Sequence, residues 1–163
     1  MTIIPLDTEE YWKAIIEWKP PRKWNKEDKC VYLSSKYKNE YGIYRFERRH
    51  GNQKDGRQNL YIGLAFKQIF DTRLHQGYHE NKIKKVGRGQ IWVSLGIIDL
   101  NDNKHSKRRY EEIEKILIYF TQPLLNKRKK SWEPDCNYEI INKGHRGPLP
   151  KSIKYPVAEV RNR

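Results

Sequence analysis

Acidic residues are in short supply: 20 Asp and Glu stand against 34 Lys and Arg, leaving a formal charge of +14 on 163 residues. So basic a body raises a strong positive potential and points to a polyanionic partner, nucleic acid first. Cysteine is almost missing. Cys30 and Cys136 lie far apart with no CxxC or Cys/His cluster beside either, which argues against a zinc site and a disulfide framework and suggests two free thiols in a reducing cytosol. No apolar run approaches the roughly 18 residues of a membrane span. The opening MTIIPLDTEEYW lacks the basic and apolar regions of a signal peptide, so a soluble, cytoplasmic protein with no membrane partner is expected. Apolar residues make up only 36%, which implies one small core under a heavily charged surface.

Aromatic residues, at 12%, compensate for the thin apolar content and mark the elements. Asp7 stands three before Glu10 as a capping pair, and Tyr11, Trp12, Ile15 and Ile16 follow at helical spacing, predicting a short N-terminal helix that Pro20 and Pro21 end. Trp24, in the basic connector after it, suits either stacking on a base or covering the core. Tyr41–Glu47 and Leu60–Leu64 predict an antiparallel hairpin with a long basic turn. Phe66, Ile69, Phe70 and Leu74 then predict a helix closing near Gly77, and Ile91–Leu100 a third strand. Tyr110, Ile113, Leu117 and Phe120 fall on one face of a last helix, stopped at Pro123. Beyond it, YEII is a short strand candidate, and Ile140, Ile141, Ile153 and Val157 are placed to fold the tail back on the body.

The hairpin carries Gly42-Ile43-Tyr44 on its first strand and Tyr61-Ile62-Gly63 on its second. Further on, Glu114 precedes Leu117-Ile118 by three residues, and Pro123 and Asn126 follow. This ordered set resembles the GIY-YIG nuclease family over roughly residues 41–126. The resemblance implies an α+β fold: a small three-stranded antiparallel sheet flanked by helices, with an N-terminal helical extension (1–40) and a basic C-terminal extension (127–163) in a single domain.

Hydrolysis of a phosphodiester needs an activated water and neutralisation of the charge that gathers on phosphorus. The resemblance assigns Tyr61 as general base or water-orienting phenol, Tyr44 as its companion, and Glu114 as the carboxylate on Mg²⁺, for which Mn²⁺ can substitute. One carboxylate suits Mg²⁺, which retains waters and takes phosphate oxygens. Asn126 completes the site through a hydrogen bond to phosphate or to the tyrosines. Read from the residues alone, Tyr44 and Tyr61 equally suit cross-strand packing, Glu114 a surface ion pair and Asn126 a helix-end cap.

The basic positions depart from the pattern. Arg73 stands two residues beyond the family's usual arginine and Lys67 beside its usual lysine, both expected on one helix. Arg73 is assigned to the scissile phosphate. His79 is a proton-relay candidate, with an ordinary exposed histidine as the alternative. Arg48, Arg49, His50, Lys54 and Arg57 make the hairpin turn either a DNA-contacting finger or a solvated loop, and Lys82, Lys84, Lys85 and Arg88 are assigned to gripping phosphates.

These readings predict a Mg²⁺-dependent endodeoxyribonuclease acting on double-stranded DNA. The compact layout resembles type II restriction endonucleases of the family, for which a palindromic target implies a homodimer or larger homo-oligomer. A structure-specific or nonspecific DNase of repair or phage biology is the alternative enzyme. A non-catalytic nucleic-acid-binding module is the alternative outside enzymes.

Overall fold

A computed structural model describes residues 11–28, 30–49, 57–76, 78–86, 89–128 and 137–155. Among these, β1 (Trp12–Trp18), β2 (Arg22–Lys23), α1 (Ser35–Lys38), β3 (Gly42–Arg49) and β4 (Arg57–Ala65) come first. Then follow α2 (Phe70–Leu74), α3 (Tyr78–Ile83), a 3-10 turn (Lys84–Val86), β5 (Gln90–Leu100), α4 (Lys107–Thr121), β6 (Tyr138–Gly144) and β7 (Ser152–Tyr155).

The three-stranded sheet expected from the sequence is corrected to a curled seven-stranded half-barrel in a mixed α/β fold. Its main path runs β4-β3-β5-β1-β6-β7, with β2 paired to β5 off that path. The antiparallel set β4-β3-β5 is present, but four further strands come from the segments read as extensions. The expected N-terminal helix is a strand. Ala14, Ile16 and Trp18 are buried at every second position while Trp12 and Lys13 are exposed, a period of two that suits a pleated surface. Pairing decides the conflict with helical spacing: β1 lies antiparallel to β5 and parallel to β6. The capping pair Asp7 and Glu10 lies outside the described residues.

Both sheet faces are covered. Ile43 of β3, Ile62 of β4, Ile16 and Trp18 of β1 and Ile140 of β6 share a core with Tyr110, Ile113 and Leu117 of α4. On the other face Tyr44, Phe46, Tyr61 and Leu95 pack with Phe70 and Leu74 of α2, and Trp24 lies there too, buried against the Phe46 ring edge. Ser106 caps α4 by accepting from the Arg109 amide at 3.3 Å, and Gln122 ends it in the left-handed region just before Pro123. Phe120, expected on the buried face, is more than a third exposed. The tail does pack back, with Ile140 and Ile153 buried on neighbouring strands.

A buried ion pair fastens the returning tail. Arg45 and Glu47, on the α4 side of β3, are 1% and 0% exposed with Nη2 and Oε2 3.4 Å apart. The Arg45 guanidinium lies over the Trp18 ring and donates to Ser94 Oγ at 3.3 Å, to the His145 carbonyl at 3.1 Å and to the Arg146 carbonyl. The loop between β6 and β7 therefore answers a charge buried on β3, the strand beside the β4 edge.

Candidate active site

Strand β4 ends the sheet path, and an uncovered edge would leave its outward amides and carbonyls unmet. The residues after α4 cover it. Leu124 and Leu125 donate their amides to the carbonyls of Asn59 and Leu60 at 3.3 and 2.7 Å. Asn126 then takes over with its side chain: its Oδ1 accepts from the Ile62 amide and its Nδ2 donates to the Ile62 carbonyl, both at 2.9 Å. The buried amide thus substitutes for one residue of an added strand.

A cleft of about 890 Å³ opens along this edge, between α2 and α3 on one side and α4 on the other. Tyr61, Arg73, Glu114 and Asn126 all line it, although they lie on four separate segments of the chain. Lys82 and Lys85 contribute from the α3 side, and Lys107, Lys127 and Arg128 from the opposite wall. The positive lining suits a polyanion.

The tyrosines are offset rather than directly opposed. Tyr44 pairs in register with Gly63, and Tyr61 with Phe46, leaving the phenol rings tilted with centroids 6.1 Å apart. Gly63 is required by that offset: a Cβ there would fall 2.4 Å from Cζ and Oη of Tyr44. Gly42 has a matching reason, since its Cβ would fall 2.3 Å from the Gly96 carbonyl oxygen on β5. A bulge between Phe46 and Glu47 turns Leu60 and Tyr61 toward the same core.

Burial divides the roles of the two phenols. Tyr44 is fully buried, and that burial pushes its pKa up to about 12 despite the opposing pull of Arg73, so it keeps its proton at neutral pH. Tyr61 is 8% exposed and reaches the cleft. His79 is buried, with Nε2 3.2 Å from Tyr44 Oη and 3.2 Å from the Arg73 carbonyl. Burial, then Arg73, bring its pKa down to about 4, so a neutral imidazole packs edge-on to Tyr44. Arg73 ends α2 and is held by a 2.9 Å bond from Nη1 to Gln76 Oε1. Burial works against its charge, but Tyr44, Tyr61 and Glu114 outweigh that and raise its pKa. Its Nε is buried without a hydrogen-bond partner, while the side chain as a whole lines the cleft.

Glu114 is 7% exposed on α4. Lys107, Glu111, Glu114 and Ile118 recur at spacings of four, three and four, so one stripe of the helix forms the cleft wall. Among the described residues no three His, Cys, Asp or Glu side chains converge. The donor set fits a hard cation that takes one or two carboxylates, here Glu114 with Glu111 one turn away, and fills its other positions with phosphate oxygens and water.

Other assigned residues fall elsewhere. Lys67 is a correction: it lies before α2, on an exposed turn at φ 56°, outside the cleft lining. Arg48 donates to the Val86 carbonyl and Gln58, while Arg49 pairs with Glu47 at 2.7 Å and lies over Trp92. These two arginines brace the sheet within the chain. Arg57 is exposed, and Lys84 pairs with Glu80. His50, Lys54 and Arg88 lie outside the described residues.

The sequence reading missed Glu111, Lys107, Lys127 and Arg128. The α4 stripe was readable as a second face of that helix; the last two become cleft residues only because 124–126 follow the β4 edge. No protein-family model matches the chain, and no significant match was found among curated proteins or solved structures. Among the described residues no helix is long and apolar enough to cross a membrane.

Proposed function

We propose that the chain is a Mg²⁺-dependent DNA endonuclease of the GIY-YIG type. The observation that carries the reading is the convergence of Tyr61, Arg73, Glu114 and Asn126 on one cation-lined cleft with Tyr44 packed directly behind Tyr61. The late position of Arg73 in the sequence is no obstacle, because the short α2 still delivers it to the cleft.

In this reading a phosphate of the DNA enters between α3 and α4 and meets the Arg73 guanidinium that lines the cleft. The ionised phenol of Tyr61 takes a proton from water, the water oxygen bonds to phosphorus, and the ester P–O bond breaks with its electron pair leaving on the departing oxygen, which is protonated from solvent. Arg73 favours the ionised phenol of Tyr61 and the charge growing on the phosphoryl oxygens. Tyr44, protonated, and His79, neutral, hold Tyr61 and Arg73 in place from below. Asn126 fixes the Ile62 backbone beside Tyr61 and so acts by positioning. Glu114 would hold a divalent cation, which would supply Lewis-acid neutralisation of the developing charge.

Within this class we assign a restriction-type, sequence-specific enzyme, in keeping with the compact chain, acting as a homodimer on a palindromic site. Incubating supercoiled plasmid with the protein and Mg²⁺, then sequencing the ends, tests both levels. Cleavage at one recurrent short motif is expected. Scattered ends would replace the restriction role with a nonspecific DNase, and intact plasmid, phage and branched DNA would overturn the nuclease.

A further inference from the structure

We propose that Lys82 of α3 is a catalytic residue of this cleft, its ammonium held over the face of Tyr61 to favour the ionised phenol that then accepts a proton from water. The assignment rests on the nuclease reading above. The Nζ of Lys82 is 4.1 Å from the centre of the Tyr61 ring, and the side chain lines the cleft. The lysine nearest the family position, Lys67, is turned out of the cleft on an exposed bend. A residue from a different element therefore supplies the cation that Lys67 does not.

The groups around Tyr61 narrow what Lys82 does. Tyr44 and Phe46 face it from β3, His79 and Lys82 from α3, Arg73 from α2, and Glu114 lines the same cleft from α4. Tyr44 holds its proton and His79 is neutral at pH 7, so the positive charges bearing on the phenol are Arg73 and Lys82. Arg73 bears electrostatically on Tyr44 as well as on Tyr61. Lys82 is set on Tyr61 itself. An ammonium over a neutral aromatic ring is attracted by the ring's quadrupole, and it is held more strongly when that ring carries a full negative charge. Lys82 therefore raises the share of Tyr61 that is ionised, and so able to accept a proton from water, at neutral pH.

The experiment uses the full chain and Lys82→Met, which keeps an apolar stem on the ring while removing the charge, beside Lys143→Ala on β6 as a charge-loss control. Single-turnover plasmid cleavage in Mg²⁺ is followed across pH, and DNA affinity is measured separately without divalent cation. The phenol titration of Tyr61 is read by NMR of ¹³C-labelled tyrosine in protein alone, assigned with Tyr61→Phe. Expected for Lys82→Met is a rate up to about 10-fold lower at neutral pH that recovers as pH rises. A Tyr61 midpoint about 1 unit higher is expected too. DNA affinity should stay within about threefold, because a single lysine among many supplies little of the nonspecific binding. Wild-type cleavage with an unmoved Tyr61 titration and a parallel pH profile would overturn this assignment alone. No cleavage by the wild type would overturn the nuclease reading and this assignment with it.

Discussion

Gly63 is where the side chains of the site constrain the backbone most tightly. A methyl group there would occupy the space of the Tyr44 phenol, which is itself confined by Phe46 and His79. Gly63→Ala should therefore cost about 1–3 kcal/mol of stability. It should also lower any cleavage rate by more than the loss of folded protein explains; denaturant unfolding and single-turnover cleavage on the same samples check this. His79 gives a second residue-level test. Its folded pKa of about 4 lies below the ordinary 6.5, so the unfolded chain binds a proton that the folded chain refuses as pH falls. The resulting loss begins below pH 6.5 and is complete below pH 4, reaching about 2 kcal/mol by pH 5. Urea unfolding of wild type and His79→Gln at pH 7 and pH 5 should show the wild type losing about 2 kcal/mol more than the variant. Equal losses would contradict the buried neutral histidine.

Elements explain why some strands were legible in the sequence and others were not. Strands β3, β4 and β5 and helix α4 were legible because each carries its own pattern: glycine-flanked aromatic runs, a β-branched run, and apolar residues at three and four with Pro123 to stop them. Strand β1 was not, because Ile15 and Ile16 satisfy both periods and only its neighbours β5 and β6 choose between them. The helical reach expected of Lys67 failed for a related reason: α2 begins only at Phe70, after a turn that holds Lys67 at positive φ. Asn126 was legible as a site residue, but its bond to the Ile62 backbone depends on the 124–126 segment following an edge strand, which no local pattern shows. Asn126→Leu removes both bonds to Ile62 and leaves its buried amide and carbonyl unmet, at a cost of about 2–4 kcal/mol. Hydrogen exchange should show the Ile62 amide losing protection ahead of the β3–β5 ladder, and unchanged protection there would contradict the clamp.

The whole molecule is knitted by its two ends. Strand β1 lies between β5 and β6, and the carbonyls of His145 and Arg146 answer the buried Arg45. A chain cut after residue 126 keeps every motif residue yet loses β6, β7 and those carbonyls, leaving the Arg45–Glu47 pair exposed to incomplete compensation. Breaking a buried pair's surroundings costs about 3–5 kcal/mol, a large share of an ordinary domain's stability. The truncated chain should fail to unfold cooperatively in circular dichroism; a cooperative melt at the wild-type temperature would show that the tail is dispensable. The measurement that bears most directly on function compares wild-type protein with Glu114→Ala on supercoiled plasmid in Mg²⁺, with the fold of both checked by circular dichroism. Cleavage by the wild type and a loss of about 100-fold or more in the variant are predicted. Equal cleavage by the two proteins would contradict the metal site on α4.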